Sequence, residues 1–416
     1  MADAPAPNLY SKGSKLVYGA PLAVNPAAQN GHGSHAAKPA PVAKSASAAL
    51  PDGTLLKWLR DMVAIREFEN RCAQAYQQAK IGGFCHLYIG QEACAVATIN
   101  AVNHDDPVVT AYRDHGHALA RGMSARACMA EMFGKAAGCA KGKGGSMHMF
   151  DKPNWLFGGH GIVGAQTPLG LGLAFAARYE WEVLGKALDG GAAKKKVSLC
   201  YLGDGALNQG ALHEAMNLGG LWDIPVIWIV ENNRYSMGTA IERGTTMAHN
   251  LLAKSDAYGI AGLEISAKTI ARDLAKPAAG AEMNILNVFD MFKPFADRCR
   301  EEQKPGFVDL HTYRYQGHSM SDPQKYRAKD EVDTVKSRDS IELLAQHLMM
   351  ERKCLSESAF QEMVDACKAD AADALEFAEQ APPPDASELY ADVFVNPQPG
   401  LSPTRDYTVG VKNPLL

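Results

Sequence analysis

The chain has 416 residues, 47% of them hydrophobic, enough to bury a substantial core. A formal net charge of −4, with no basic cluster beyond Lys194-Lys195-Lys196, argues against a nucleic-acid partner, and no apolar run is long enough to cross a bilayer. Nine cysteines are scattered singly, with no Cys-x-x-Cys pair, which points to free thiols in a reducing compartment and away from a disulfide framework or a zinc site.

Residues 1–50 are rich in Ala, Pro, Ser and Lys and read as a flexible extension. They hold no apolar stretch of a secretory signal and no arginine, so a bacterial cytoplasmic location is preferred, with the mitochondrial matrix as the alternative. Residues 55–80 place Leu55, Leu56, Leu59, Met62, Val63 and Ile65 at helical spacing, and 91–102 and 124–134 read as further helices. Val108-Val109-Thr110-Ala111 is a short strand candidate. From Gly134 to Gly172 glycine is dense, which predicts loops whose backbone approaches a ligand, followed by a helix from Thr167-Pro168. Within it, Gly170-Leu171-Gly172 lacks the third glycine of a dinucleotide fingerprint and reads as helix packing instead.

Val197 to Leu202 and Ile224 to Val230 are two β-type runs, and Asn208 to Trp222 between them carries a mostly apolar helical face. This is a βαβ unit, so its strands are parallel. The triplet Lys194 to Lys196, just before it, reads as a solvated loop. Phe307 to Tyr313 forms another strand and feeds a polar loop reaching about Arg327. Ser340–Arg352 and Ser358–Glu379 read as helices stopped by Pro382-Pro383-Pro384. The expected fold is a doubly wound, mostly parallel α/β sheet with helices on both faces and a helical C-terminal tail. The expected division is an extension over 1–50, an α/β domain over 51–330 and a helical segment with its tail over 331–416.

Each strand of the βαβ unit ends in a motif. Gly203-Asp204-Gly205 follows the first and Asn232-Asn233 the second, with 26 residues between the motifs. Both therefore lie on the carboxyl rim of one sheet, where open α/β folds bind ligands. Mg²⁺ takes a few protein oxygens plus phosphates and water. Asp204 offers a carboxylate, Asn233 an amide oxygen and Tyr235 a main-chain carbonyl, while Gly205 admits a phosphate beside a helix amino end. Either motif alone is an ordinary turn; together they point to a diphosphate held by magnesium. His115, His117, His148 and His160 lie close in sequence, but their spacing fits no zinc pattern.

This spacing resembles the thiamin diphosphate motif. Gly83 to Leu87, Thr110 to Arg113, Gly142 to Met149, Gly161 to Gln166 and Gly317 to Pro323 extend the likeness, in order, to the α subunits of thiamin diphosphate-dependent 2-oxo acid dehydrogenase E1 components. The likeness spans roughly 52–394 and is interrupted by an insert over 265–283, read as a surface elaboration. It implies Mg²⁺ on Asp204, Asn233 and Tyr235, and cofactor contacts from His86, Tyr112, Arg113, Gly159, Gly161, Val163, Gly205, Ala206 and His318. It also implies that His86 and His318 are catalytic, that pyruvate is decarboxylated, that an E1 β subunit completes an α₂β₂ heterotetramer, and that a lipoylated E2 acetyltransferase accepts the product. The glutamate that activates the cofactor belongs to that β chain, so neither Glu231 nor Glu242 is assigned to it. Branched-chain 2-oxo acid and acetoin dehydrogenases are the sibling alternatives, and a non-catalytic scaffold is the alternative of another class. Ser319 matches a serine phosphorylated in animal relatives, whereas Lys325 and Met247 stand where two further such serines are expected.

Overall fold

The computed structural model describes residues 45–187, 191–389, 391 and 392, so the extension up to residue 44 and the tail from 393 lie outside the described residues. In chain order the body begins with α1 (Asp52–Gln77), α2 (Glu92–Asn100), β1 (Val108–Ala111), α3 (His115–Ala120), α4 (Ala125–Met132) and β2 (Leu156–His160). It continues through α5 (Gln166–Tyr179), β3 (Ser198–Gly203), α6 (Gly210–Leu221), β4 (Val226–Asn232) and a small hairpin, β5 (Tyr235–Ser236) with β6 (Thr239–Ala240). Then come α7 (Ile241–Gly244), α8 (Leu252–Asp256), β7 (Ala261–Ile265), α9 (Ala267–Asp273), α10 (Ile285–Glu302) and β8 (Gly306–His311). The helices α11 (Lys329–Lys336), α12 (Ser340–Gln346) and α13 (Glu357–Gln380) close the described chain.

Six strands form one parallel sheet in the order β2-β1-β3-β4-β8-β7. Side chains alternate along a strand, and here the alternation divides the core in two. Leu199, Tyr201, Ile227 and Ile229 face the larger core with α1, α2, α10, α12 and α13. Cys200, Leu202, Trp228 and Val230 face the smaller core with α5 and α6. Both faces are thus covered, which is why β3 and β4 are buried along almost their whole length.

The βαβ reading places β3, α6 and β4 where they are observed. Strands β2 and β7 were not anticipated. They are the two edges of the sheet, and the sequences Leu156-Phe157-Gly158-Gly159-His160 and Ala261-Gly262-Leu263-Glu264-Ile265 carry glycine and polar residues. The insert is only partly a surface feature. Ser266 caps α9 through a capping box with Thr269, and Ile270, Leu274 and Met283 enter the larger core. Its second half is pinned by Asn287, which receives the Ala278 N–H at 2.8 Å and donates to the Ala278 carbonyl at 3.0 Å. Lys196 also departs from expectation. It is buried, pairs with Asp105 at 3.6 Å, and lies 4.0 Å from the centre of the Trp155 ring.

Gly170 is where α5 crosses the sheet. A Cβ there would lie 2.6 Å from Cys200 Cβ and 3.3 Å from Val109 Cγ1. Gly170→Val therefore overpacks the α5–β3 contact and is expected to cost about 1–3 kcal/mol. Urea unfolding checks this, and an unchanged midpoint would show that α5 can lift off without penalty.

Candidate active site

Parallel strands end on one side, so the residues following β1, β3, β4 and β8 meet at a single rim. Gly203 on β3 is paired with Glu231 on β4, and Asn232 on β4 with His311 on β8. Asp204, Asn233 and Arg314 therefore emerge next to one another. Asp204 is buried, and its Oδ2 has no hydrogen-bond partner. Burial raises its pKa to about 6, against the pull of backbone N–H groups and of Arg314. Asn233 Oδ1 accepts from the Tyr235 N–H at 3.3 Å and from Arg314 Nη1 at 3.3 Å, while Asn233 Nδ2 donates to Gln91 Oε1 at 3.3 Å. The Tyr235 carbonyl accepts from the same Arg314 nitrogen at 3.4 Å.

Arg314 was absent from the sequence-based site. It is fully buried, three residues past the end of β8, and it also donates to Gln316 O and Tyr326 Oη. The available signal was its position just past a predicted strand, on the same rim as Asp204. Arg113 is buried as well. It donates to Leu87 O at 2.6 Å and to His318 O at 2.8 Å, so it ties the two histidine-bearing segments together. Burial first, and then the charge of Arg314, lowers its pKa to about 10. Neither guanidinium has a carboxylate within ion-pair distance among the described residues, although both are taken from water. Two buried, unpaired cations are costly, and an anion between them would relieve that cost.

His86 and His318 stand with ring centres 5.1 Å apart, and Tyr112 lies 4.5 Å from the first and 5.7 Å from the second. Burial, then the charges of Arg113 and His318, lowers His86 to about 2. Burial, then Arg113 and Arg314, lowers His318 to about 3. Both imidazoles are therefore neutral at physiological pH, and each keeps a buried Nδ1 without a partner. The His318 N–H is held by Asp322 Oδ2 at 2.6 Å. Next to it Ser319 is buried, with its hydroxyl 3.0 Å from that of Ser321.

Gly159 lies on β2, where a Cβ would overlap the Asp114 carboxylate. Gly161 lies under His148, with its would-be Cβ 3.1 Å from Nε2, and His148 Nδ1 is 3.0 Å from Gly159 O. Val163 is exposed beside Ile162, and Ala206 is buried. Gly205 is crowded by the Ser236 hydroxyl. Among the described residues no three His, Cys, Asp or Glu side chains gather as a metal cage. His115 instead pairs with Glu69 at 3.0 Å, and His117 with Glu231 at 3.2 Å. Glu231 also accepts the Tyr88 hydroxyl, and Glu242 lies exposed in α7.

The fold and rim define an α/β protein whose strand ends bring two buried guanidiniums and a buried, unpartnered carboxylate oxygen beside two histidines. The chain belongs to the dehydrogenase E1 component family, whose model matches residues 60–387. It is 42% identical to the pyruvate dehydrogenase E1 component subunit alpha of Rickettsia bellii (strain RML369-C), covering 82% of this chain and 95% of that one. It is 44% identical to the subunit of the same name from Rhizobium meliloti (strain 1021), covering 82% and 90%. It is also 37% identical to pyruvate dehydrogenase E1 component subunit alpha-3, chloroplastic, of rice (Oryza sativa subsp. japonica), covering 89% and 82%.

The Glu69–His115 pair beneath this rim yields a pH prediction. Burial lowers the imidazole pKa, but the Glu69 charge and hydrogen bond outweigh it and raise His115 to about 9. A raised histidine stabilises the fold fully below its unfolded value near 6.5 and ceases to do so as pH passes about 9. The stability advantage of the natural chain over His115→Gln should therefore shrink by on the order of 2 kcal/mol between pH 6 and pH 9.5. Urea titrations at the two pH values measure this, and a constant advantage would exclude a charged pair.

Proposed function

We propose that this chain is the α subunit of a pyruvate dehydrogenase E1 component, using thiamin diphosphate and Mg²⁺ in the oxidative decarboxylation of pyruvate. The names of its relatives support the substrate. The observation that carries the site is the pair of buried, unpaired guanidiniums, Arg113 and Arg314, beside a buried carboxylate oxygen that lacks a partner. That donor set suits a diphosphate bridged by a divalent ion.

In this reading Asp204, Asn233 Oδ1 and the Tyr235 carbonyl would hold Mg²⁺, and Gly205 and Ala206 would offer backbone N–H groups to the diphosphate. Tyr112 and the remaining donors of Arg113 would grip its oxygens. Gly159, Gly161 and Val163 would line the space for the rings. When bound, thiamin diphosphate supplies the electron sink that the decarboxylation requires. The chain itself orients and shields. His86 and His318, adjacent and each with an unpartnered Nδ1, would be the groups to hydrogen-bond the substrate oxygen. Arg113 holds their two segments in register, so the pair is kept in place before substrate arrives.

Glu231 is committed to Tyr88 and His117, which supports a glutamate from an E1 β subunit as the cofactor's activator and an α₂β₂ assembly delivering the acetyl group to a lipoylated E2. We assign the cofactor site to the domain over 51–330, the bracing helices to the segment beyond it, and the bacterial cytoplasm as the location. Ser319 is a candidate regulatory position, where a phosphate would place like charge beside the diphosphate.

Asp204→Asn removes a direct ligand, so Mg²⁺-dependent affinity for thiamin diphosphate should fall by at least about 100-fold, the upper end of what outer-shell substitutions cost. Calorimetry on the assembled α and β chains reads this directly, and unchanged affinity would move the metal elsewhere. Decarboxylation assayed with pyruvate, branched-chain 2-oxo acids and acetoin tests the substrate.

A further inference from the structure

The glycine-rich run before the site is moulded around one buried carboxylate. Glu131, near the end of α4, is fully buried. Its Oε2 accepts the N–H groups of Ala140 at 2.7 Å and Gly142 at 2.9 Å. Its Oε1 accepts those of Gly144 at 2.7 Å and Gly145 at 3.1 Å. Four backbone donors converge on one side chain, and three of the glycines around it, Gly138, Gly142 and Gly144, have no room for a Cβ. At Gly138 a Cβ would overlap Glu131 itself, at Gly142 it would meet the Gly134 carbonyl carbon at 2.5 Å, and at Gly144 the His148 carbonyl at 2.6 Å. The loop therefore has one way to close, and that way is set by the carboxylate.

What the loop delivers is the next four residues. Ser146, directly after the Gly144-Gly145 donors, receives His115 Nε2 at 2.9 Å on its carbonyl and lies 2.9 Å from it through its hydroxyl. His148 then reaches Gly159 O and stands over Gly161. The Met149 N–H is fixed by Asp114 Oδ2 at 2.8 Å, the same carboxylate that excludes a side chain at Gly159.

We infer that Glu131 is a positioning residue for the cofactor pocket: its carboxylate shapes the loop that seats His148 against the Gly159–Gly161 wall. This rests on the thiamin diphosphate reading of that wall. Glutamine at this position keeps one acceptor oxygen and turns an amide N–H toward two backbone N–H groups, so two of the four bonds are lost.

The test is calorimetric titration of thiamin diphosphate with Mg²⁺ into the α chain assembled with its β subunit. Glu131→Gln should weaken binding by about 10-fold or more, while kcat at saturating cofactor changes far less. Limited proteolysis should cut faster between 138 and 145. In a His148→Ala background the further loss from Glu131→Gln should largely vanish, because the route is already broken. Equal cofactor affinity in Glu131→Gln and the natural chain overturns the inference, as does an undiminished effect in the His148→Ala background. If Glu131→Gln does not assemble, Gly144→Ala probes the same link through the His148 carbonyl and should weaken binding similarly. Failure of both variants to assemble would make the loop a stability element and overturn the positioning role. Absence of binding by the natural chain overturns the site reading first, and is told apart from the other outcomes by that control.

Discussion

The site depends on the parallel pairing of β3 with β4 and β8. Antiparallel neighbours would send Asp204 and Asn233 to opposite rims. With Gly203 opposite Glu231 and Asn232 opposite His311, three consecutive strand ends instead present a carboxylate, an amide and a guanidinium to one small volume. The pairing is itself enforced by burial on both faces, since a slip of one residue would exchange the larger and smaller cores along β3 and β4. The chemistry at the rim and the packing of the sheet are in this sense one constraint.

The rim concentrates positive charge where water is scarce. Burial first, and then the charge of Arg314, lowers the Arg113 pKa, and burial first, then the guanidinium charges, keeps His86 and His318 neutral. A pocket built only for stability would pair those guanidiniums with carboxylates, as happens at Arg300 with Asp106 and at Arg66 with Glu92 and Asp339 elsewhere in this chain. At the rim they are instead bonded to neutral oxygens from Leu87, His318, Asn233, Tyr235, Gln316 and Tyr326. Those bonds orient the guanidiniums without cancelling their charge, which leaves the electrostatic demand for an anion intact.

Legibility in the sequence followed the range of the interactions. The βαβ unit was readable because its signals are local: two β-type runs, a helical face and turn residues at fixed offsets. The long helix α1 was readable from periodicity, and α13 as a helix stopped by the proline run that follows it. Strands β2 and β7 were not, because an edge strand needs only one neighbour and tolerates the glycines that obscure it. Burial of Lys196 was hidden for a similar reason. Its partners Asp105 and Trp155 come from distant segments, and nothing in a lysine triplet tells which one turns inward. Arg314 lay at the start of the polar loop after Tyr313 but became a site residue only when the strand order put β8 beside β4.

The glycines illustrate how two causes can converge on one residue. In the sequence, Gly159, Gly161 and Gly205 read as places where a ligand approaches the backbone. The fold supplies a second reason at Gly159 and Gly205, where a Cβ would overlap the Asp114 carboxylate or the Ser236 hydroxyl, and a tight contact at Gly161, where it would lie 3.1 Å from His148 Nε2. A larger residue at Gly159 would have to displace Asp114, and with it the anchor of Met149. At Gly159 close packing against the anchored Asp114 carboxylate therefore accounts for the glycine before any ligand is considered.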